Sequence, residues 1–432
     1  MQDSKAETTT TLLVDATPPE AETASTAKRN LIFGIVNLSH VLNHMESSMV
    51  AILYPVMMGE LGFGYFAIGI LQTIYQMTAM AFQVFYGFLV RFLPRALLLG
   101  VGNLFLGMMV MLTGLAQSFG QVAIMRGLTG VGSSVQHPVG SAILVSYFKD
   151  ARGRVLTLHH SAGNLGGFLA PAVVGALLLF TDWRTVFYFI GFPSLVMGLV
   201  YFFLRDTVVA SDEGKSGKEK AKAGFRDYLT CIRNRNVMLV SLIQMAGAAG
   251  RGTGISVAFL TAFFMQALSV SVTSAAVLLM VYQLSGFIGP LVIGWLSDRF
   301  NRKTIVQLTL LISTLSTLSL LIHQSLTPWL ILNLIIYGSV IQSRGPLTQS
   351  MVTESVPFER LDAAFSIYFF IGFISGPAWT FLMGWLIDSY SFTTAFKVIS
   401  CSYLMGMLLL FFAKVPSKLA ERSLTLRRAQ GE

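Results

Sequence analysis

The sequence consists mainly of apolar runs of about 20 residues or more, separated by short polar segments. A run of about 20 apolar residues is long enough to cross the hydrocarbon core of a bilayer as an α-helix. Lipid offers no hydrogen-bonding groups to the backbone, so such runs predict helices rather than isolated strands. We therefore predict an all-α membrane protein with about twelve transmembrane helices, at residues 31–57, 66–90, 96–117, 120–148, 154–181, 184–204, 236–267, 272–297, 303–323, 327–352, 361–387 and 392–414.

The predicted helices fall into two similar halves. The segment IYQMTAMAFQVFYGFLVRFLPR aligns without a gap with VYQLSGFIGPLVIGWLSDRFNR, and the paired Tyr75 and Tyr282 are 207 positions apart (282 − 75). Such a repeat predicts two six-helix bundles related by a pseudo-two-fold axis normal to the membrane, with a substrate site between them near mid-depth. The predicted segments are a disordered cytoplasmic tail, a first bundle, a cytoplasmic linker, a second bundle and a basic cytoplasmic tail, at residues 1–29, 30–204, 205–235, 236–414 and 415–432.

Composition agrees with a membrane protein. The chain is 54% hydrophobic and only 12% charged, whereas a soluble domain carries about 25% charged residues. Lysine and arginine are concentrated in the loops on one predicted side, and the other side has only Arg184 and Lys397. By the positive-inside rule, this asymmetry places the linker and both termini in the cytoplasm and the chain in the cytoplasmic (inner) membrane.

Several function classes are disfavoured by the sequence. The net charge of +9 does not indicate nucleic-acid binding, because no basic face interleaved with aromatic residues is present. There is no GxxxxGK[ST] loop and no nucleophile–base arrangement, so we predict neither a nucleotide-driven pump nor an enzyme. Cys231 and Cys401 are expected to be free thiols. We expect no cofactor, and as partners the lipid bilayer, a small-molecule or ion substrate and protons, with the chain as a monomer.

A loop motif in the second half resembles a known family. GWLSDRFNRK (residues 294–303) resembles the signature loop of the major facilitator superfamily, with Asn301 where a glycine is usual. The resemblance covers nearly the whole chain and implies a transporter fold of two six-helix bundles. An acid at this place can pair with arginines and with the next helix N-terminus, which would hold the cytoplasmic face closed; alternatively, Asp298 is only a helix-end cap. In the first half Arg91 replaces the acid. We assign gating to Gly294, Asp298, Arg299, Arg302 and Lys303.

Other segments resemble one group within that superfamily more closely. LSHVLNHMESSMVAILYP (residues 38–55), GVGSSVQHP (130–138) and GNLGGFLAP (163–171) resemble the fosmidomycin-resistance-type drug efflux proteins. The resemblance implies export of a small molecule by an antiporter.

Glu46 is the main candidate for proton coupling. Ionisable groups inside a bilayer are costly, so each is a functional candidate. The superfamily's antiporters often carry an arginine where Arg126 stands, and we predict that Arg126 pairs with Glu46. Desolvation and a nearby arginine would compete for the proton of such an acid. We therefore assign proton coupling to Glu46, Arg126 and His44; the alternative is a static Glu46–Arg126 pair that holds the bundle together.

Further polar residues are expected to line a substrate cavity. Arg251 and Arg344 lie well inside their spans, and two such arginines favour an anionic group such as a phosphate, phosphonate or carboxylate. The alternatives are pairing of one arginine with Glu46, or snorkelling to the membrane surface. The predicted cavity residues are Asn43, His40, Gln136, His137, Tyr75, Gln76, Gln244, Arg251, Tyr282, Gln283, Tyr337 and Arg344.

The histidines raise the possibility of metal binding. His40 and His44 are one helical turn apart, and with Glu46 they offer ligands that suit divalent transition metals. Because His137–Pro138 already belongs to the resembled pattern, we expect no metal site and assign proton handling or hydrogen bonding to His44.

The leading functional hypothesis is a secondary active transporter that works by alternating access. We expect a proton-coupled antiporter that exports a drug-like or anionic molecule. One alternative is an importer of a metabolite or a divalent metal ion. A second alternative is a transport-dead membrane receptor or scaffold, which the altered loop at Arg91 favours.

Overall fold

A computed structural model describes residues 25–90, 92–148, 152–204, 225–246, 255–357 and 360–413. The regular elements in these residues are helices, as predicted. The first half contains α1 Thr26–Leu61, α2 Tyr65–Leu89, α3 Arg95–Thr113, α4 Phe119–Ser133, a π-helical turn Gln136–Gly140, α5 Ser141–Tyr147, α6 Arg152–Leu177 and α7 Trp183–Phe203. The second half contains α8 Phe225–Arg233, α9 Arg235–Ala246, α10 Ile255–Leu268, α11 Val272–Arg299, α12 Arg302–Leu320, α13 Pro328–Thr353, α14 Leu361–Ser389 and α15 Phe392–Phe411.

Short polar side chains mark where many of these helices begin. The side chains of Ser118, Asp182, Asn301 and Ser391 each accept a hydrogen bond from a backbone N–H in the first turn of α4, α7, α12 and α15. Such caps satisfy donors that have no partner within the helix. At the end of α1, Gly62 takes a left-handed conformation with φ of 68°, which glycine adopts without a steric penalty. The helices can therefore follow one another through short turns.

The predicted span 120–148 is not one regular α-helix. After α4, the π-helical turn Gln136–Gly140 precedes α5. Pro138 lies in this turn, and its missing N–H removes a hydrogen bond from any regular helix. Single π-helical turns are often found at functional sites. Here the turn carries Gln136 and His137, two of the predicted cavity residues.

Among the described residues, six helices are both long and apolar enough to cross a membrane: α3, α7, α11, α12, α14 (counted from Ala363) and α15. Helices α1 and α13 have 36 and 26 residues, so they fall short in apolar character rather than in length. Both carry polar residues that are buried against other helices. The total of twelve spans stays a prediction.

The helices within the first half pack through glycines at close crossings. A Cβ on Gly107 of α3 would lie 2.6 Å from the carbonyl oxygen of Gly191 on α7, and a Cβ on Gly166 of α6 would overlap the carbonyl oxygen of Val41 on α1. Small residues let helix backbones approach in this way where lipid provides no hydrophobic force between helices. These crossings fix how α1, α6 and α7 present their polar faces.

Two apolar clusters show how the halves meet. The larger one contains side chains from both halves, including Met49 of α1 and Phe259 of α10. The smaller one belongs to the first half and includes Val36, Leu99 and Leu144. It lies at the end where α1 and α3 begin and α5 ends, away from the shared core.

We predict that Gly166→Ala lowers the thermal unfolding temperature of the purified protein. The added methyl group must push α1 away from α6, and overpacking of this kind costs about 1–3 kcal/mol. Gly34→Ala is the matched control, because a Cβ on Gly34 meets nothing within 4 Å; it should leave the unfolding temperature unchanged or slightly raised. Equal unfolding temperatures for the two variants would contradict the close α1–α6 crossing.

Candidate functional site

One end of the seam between the halves is closed by Asp388. Its carboxylate, at the end of α14, accepts hydrogen bonds from the backbone N–H groups of Tyr65 and Phe66 at 2.9 and 2.7 Å. These groups form the N-terminus of α2, where the helix dipole favours a negative charge. A Cβ on Gly64 would lie 2.6 Å from Asp388 Oδ2, so glycine at this position gives the carboxylate its room.

The seam continues from this end toward the middle of the molecule. Thr73 Oγ1 donates a hydrogen bond to the Pro377 carbonyl oxygen at 2.9 Å, and Gln76 Nε2 donates one to Thr380 Oγ1 at 3.2 Å. Gln283, which is paired with Gln76 in the sequence repeat, lies beside Gly167 of α6. Gln76 and Gln283, two of the predicted cavity residues, therefore face the opposite half.

The signature loop at the other end makes its contacts within the second half. Arg302 pairs with Asp298 at 2.8 Å and with Glu354 at 3.1 Å, and Lys303 Nζ donates to the Ala413 carbonyl oxygen at 2.8 Å. The side chain that caps the start of α12 is that of Asn301.

Two other gating residues lie in the same loop region. The guanidinium of Arg299 lies over the Trp295 ring at 4.1 Å. Gly294 has open space where a Cβ would project. The assignment of gating to this loop stays a prediction, and so does the alternative that Asp298 is a helix-end cap.

The predicted ion pair between Glu46 and Arg126 is not formed in this structure. Arg126 Nη2 donates to Gln72 Oε1 at 2.8 Å, and the guanidinium lies 3.9 Å from the centre of the Tyr75 ring. These contacts turn Arg126 toward α2. Glu46 instead faces α7, where the Ser194 hydroxyl is beside it. The pairing was wrong because the two side chains leave their helices in different directions.

Glu46 is the only buried carboxylate among the residues that the structure describes. Neither of its oxygens has a hydrogen-bond partner by distance and angle within that part of the chain. A buried ionised carboxylate without a partner costs several kcal/mol, roughly, even after relaxation of its surroundings. The site is therefore suited to a carboxyl group that carries a proton.

The remaining polar residues of α1 hold the first half together. Asn43 Nδ2 donates to the Ser133 carbonyl oxygen at 3.0 Å, and Gln136 Nε2 donates to Ser39 Oγ at 2.9 Å. The Tyr75 hydroxyl lies 3.0 Å from Ser133 Oγ. Asn43, Gln136 and Tyr75 were predicted to line a cavity; in this conformation they bridge α1, α2, α4 and the π-helical turn.

Three histidines converge on one side of α1. The ring centres of His40 and His44 are 4.7 Å apart, and His137 lies 5.0 Å from His40 and 5.5 Å from His44. His40 is fully buried, whereas His44 and His137 are half-buried. The predicted alternative set of His40, His44 and Glu46 is not brought together, because Glu46 points toward α7.

The second half contains a buried arginine without an ion pair. Arg344 is 2% exposed, and its Nε and Nη1 have no hydrogen-bond partner in the described part of the chain. Its guanidinium lies 5.7 Å from the Tyr403 ring centre. Three other predicted cavity residues are also buried: Gln244, Tyr282 and Tyr337. Arg251 lies outside the described residues.

Some site residues were missed by sequence reasoning. Gln72, which binds Arg126, lies one helical turn before Gln76 on α2, and this spacing, which places it on the same helical face as a predicted cavity residue, could have indicated it. Asp388 lies just after the predicted span 361–387, so it was not counted among the intramembrane acids. The sequence could have indicated Asp388, because the predicted order of spans places it on the same side of the membrane as the loop before Tyr65.

Comparisons with known proteins agree on a single family. The chain matches the family model described as Major Facilitator Superfamily over residues 36–252 and again over 241–430. It is 24% identical over 398 residues to the fosmidomycin resistance protein of Escherichia coli K12, covering 91% of this chain and 96% of the relative. It is 22% identical to a probable L-galactonate transporter of the same organism, covering 86% of each. Among solved structures, nucleoside transporter NupG superposes with a TM-score of 0.74 at 15% identity, over 89% of this chain and 99% of NupG.

We predict that Asp388→Ala loosens the closed end. The substitution removes the acceptor for two N–H groups of α2, which we value at about 1 kcal/mol at an exposed position, or roughly a fivefold change in an equilibrium. The measurement is the labelling rate of Thr380→Cys by a membrane-impermeant maleimide, in a chain carrying Cys231→Ser and Cys401→Ser. Labelling should be several times faster with Asp388→Ala.

Asp182→Ala is the control for this experiment. Asp182 also accepts a backbone N–H, but from Thr185 in its own helix, and the hydrogen bonds from Thr185 hold the pKa of Asp182 below its usual range. Its removal should leave the labelling rate unchanged. Equal rates in the Asp388 variant and its parent would show that this carboxylate does not close the seam.

Proposed function

The chain belongs to the major facilitator superfamily, and from this premise we propose that it is a proton-coupled antiporter that exports an anionic small molecule by alternating access. It is a multi-pass membrane transporter and not an enzyme. The observation that carries the proposal is the buried guanidinium of Arg344, whose Nε and Nη1 have no hydrogen-bond partner among the described residues. A substrate with a carboxylate, phosphate or phosphonate group would supply the missing counter-charge.

The chemistry of Arg344 supports an anion rather than a neutral substrate. A buried charge that lacks a partner is strongly destabilising, and the cost is offset when an anion pairs with it. Guanidinium presents planar donors that match a carboxylate or phosphate through two parallel hydrogen bonds. One relative is named for L-galactonate, which is a sugar acid and therefore carries a carboxylate.

The position of the seam supports alternating access. The hydrogen bonds of Asp388, Thr73 and Gln76 join the halves from one end, whereas the signature loop at the other end bonds within its own half. Hydrogen bonds between two bundles can break at one end while others form at the opposite end. We propose that the signature loop gates the end where it lies.

Proton coupling is the second part of the proposal, with Glu46 as the proton carrier. It is buried in the first half, while Arg344 is buried in the second. We propose that a proton bound at Glu46 favours the state that is open to one side of the membrane. An anion bound at Arg344 favours the state that is open to the other side, as antiport requires. We propose that Arg126 contributes to coupling by fixing the position of α2, because it donates a hydrogen bond to Gln72 rather than to Glu46.

We predict that Arg344→Gln weakens anion binding. The probes are L-galactonate, its neutral counterpart L-galactose, and fosmidomycin, each measured by ligand-induced thermal stabilisation of the purified protein. Loss of a charged hydrogen bond is worth about 1.5–3 kcal/mol, so the affinity of an anionic ligand should fall roughly 10- to 150-fold. Arg344→Lys should weaken binding less, because it keeps the charge but loses the planar fork.

Arg184→Gln is the control, because Arg184 is already paired with Glu60 at 2.7 Å, away from Arg344. It should bind the probes as the parent does. Equal stabilisation by L-galactonate and L-galactose, or unchanged binding in Arg344→Gln, would contradict an anion site at Arg344.

We predict that Glu46→Gln uncouples transport from the pH gradient. In reconstituted vesicles the parent should move L-galactonate or fosmidomycin faster when a pH gradient is imposed, whereas Glu46→Gln should exchange the solute but ignore the gradient, because an amide cannot release a proton. Glu60→Gln, on the exposed end of the same helix, should respond like the parent. A full gradient response in Glu46→Gln would exclude this carboxyl as the carrier.

A further inference from the structure

The histidine triad His40, His44 and His137 has the geometry of a ligand set. Each residue offers one ring nitrogen, and these nitrogens all lie within 4.8 Å of one another. In a tetrahedral site with Zn–N bonds of about 2.0–2.1 Å, two ligand nitrogens are about 3.3 Å apart. Ring rotations that move each nitrogen by about one ångström would close the triad around an ion.

The tautomer of His40 is fixed by its surroundings. His40 Nδ1 lies 2.8 Å from the carbonyl oxygen of His159. A carbonyl oxygen only accepts, so Nδ1 carries the proton and Nε2 keeps its lone pair. That Nε2 is buried and has no hydrogen-bond partner among the described residues. Histidines that bind metals commonly donate the other ring N–H to a backbone carbonyl in this way.

The ring of His40 is also held in place. It stacks on the ring of His159, with centres 3.9 Å apart and planes 24° from parallel. His159 Nδ1 in turn lies 3.2 Å from Asn37 Oδ1. This second layer orients the ligand before any ion arrives, which lowers the entropy that binding would lose.

Space beside the triad depends on Gly163 of α6. A Cβ at this position would lie 2.9 Å from both His40 Cε1 and His44 Nε2. The two rings therefore approach the same backbone point, and only glycine leaves them room. His44 and His137 are half-buried, so an ion would reach the triad from their side.

From these observations we propose that His40, His44 and His137 form a binding site for a divalent transition-metal ion of the zinc class. Three neutral imidazoles suit Zn²⁺, Ni²⁺, Co²⁺ or Cu²⁺ and disfavour Mg²⁺ and Ca²⁺, which prefer oxygen. Three protein ligands leave a coordination position for water or for an anionic group. The site replaces Glu46 of the predicted set with His137, and it does not rest on the proposed anion transport.

The π-helical turn explains why His137 can join a pair on another helix. His40 and His44 are four residues apart on α1, a spacing that places two ligands on one helical face. His137 lies in the turn that separates α4 from α5, and Gln136 of the same turn is tied to α1 by hydrogen bonds to Val36 and Ser39. The turn is thereby anchored beside α1.

The test is equilibrium binding of Zn²⁺ to the full chain, purified without a histidine tag, stripped with a chelator and carrying Cys231→Ser and Cys401→Ser. We expect one saturable ion per chain. His44→Gln and His137→Gln should each weaken binding at least tenfold, whereas His323→Gln, which replaces a histidine outside the cluster, should bind as the parent does. Co²⁺ should give the visible absorption of a tetrahedral nitrogen site in the parent and in His323→Gln only.

Glycine variants provide a second test, in which none of the three histidines is replaced. Gly163→Ala should weaken Zn²⁺ binding at least tenfold, because its methyl group displaces both rings. Gly167→Ala is the matched control on the same helix, since its Cβ would make only ordinary contacts, the nearest at 3.5 Å. Size-exclusion profiles and unfolding temperatures of all variants establish that they are folded.

Two results would overturn the proposal. One is a parent chain with no saturable Zn²⁺ binding. The other is binding that survives in the double variant His44→Gln/His137→Gln or disappears in His323→Gln, which would make it adventitious. Arg344→Gln and Glu46→Gln should keep the metal site, so failure of the proposed transport function would leave this result intact.

Discussion

Burial of polar and ionisable groups among apolar helices is the constraint on which this structure depends. Such groups cannot face lipid, so they are turned inward and must find partners there. In the first half most of them do. Ser39 lies 2.6 Å from the Tyr201 hydroxyl, and Arg126 contacts Gln72 and Tyr75. Among the buried groups without a full set of partners in the described part of the chain, Glu46, His40 and Arg344 are the ionisable ones to which we assign function.

The two halves share a repeat but divide these groups unequally. Gln76 and Gln283 are related by the repeat, and both face the opposite half. By contrast, the buried carboxyl of Glu46 and the histidine triad lie in the first half, while the buried Arg344 lies in the second. The seam combines a close glycine crossing, where a Cβ on Gly384 of α14 would lie 2.7 Å from the Tyr65 carbonyl oxygen of α2, with the hydrogen bonds of Asp388, Thr73 and Gln76. Two bundles related by a repeat are suited to rocking against each other about such a seam.

Much of the fold could be predicted from the sequence, because apolar runs of helical length and an ungapped repeat are strong, local signals. The all-helical class follows from them, and the family was indicated by the resemblance of residues 294–303 to its signature loop. Hydropathy is a weaker signal for α1 and α13, which carry polar residues of the interior, and the total of twelve spans stays a prediction. The break at Pro138 could have been suspected from the proline, but its π-helical form depends on packing against α1.

The site was less predictable, since it depends on which direction each side chain leaves its helix. Glu46 and Arg126 occupy plausible positions for a pair, yet the first turns to α7 and the second to α2. The triad failed to emerge from the sequence for the same reason: His137 is 93 residues from His44 (137 − 44) and joins it only through the turn around Pro138. Asp388 accepts a hydrogen bond from the backbone N–H of Phe66, which is 322 positions away in the sequence (388 − 66).

We propose that the chain moves an anion through a site containing Arg344, and solute counterflow is the decisive measurement. Vesicles containing the purified protein are loaded with unlabelled L-galactonate or fosmidomycin and diluted into a trace of the labelled compound, with no ion gradient present. If Arg344 binds the transported anion, the parent chain should take up label transiently and Arg344→Gln should take up none. Binding of the anions without any exchange would contradict this proposal and would instead indicate a membrane receptor.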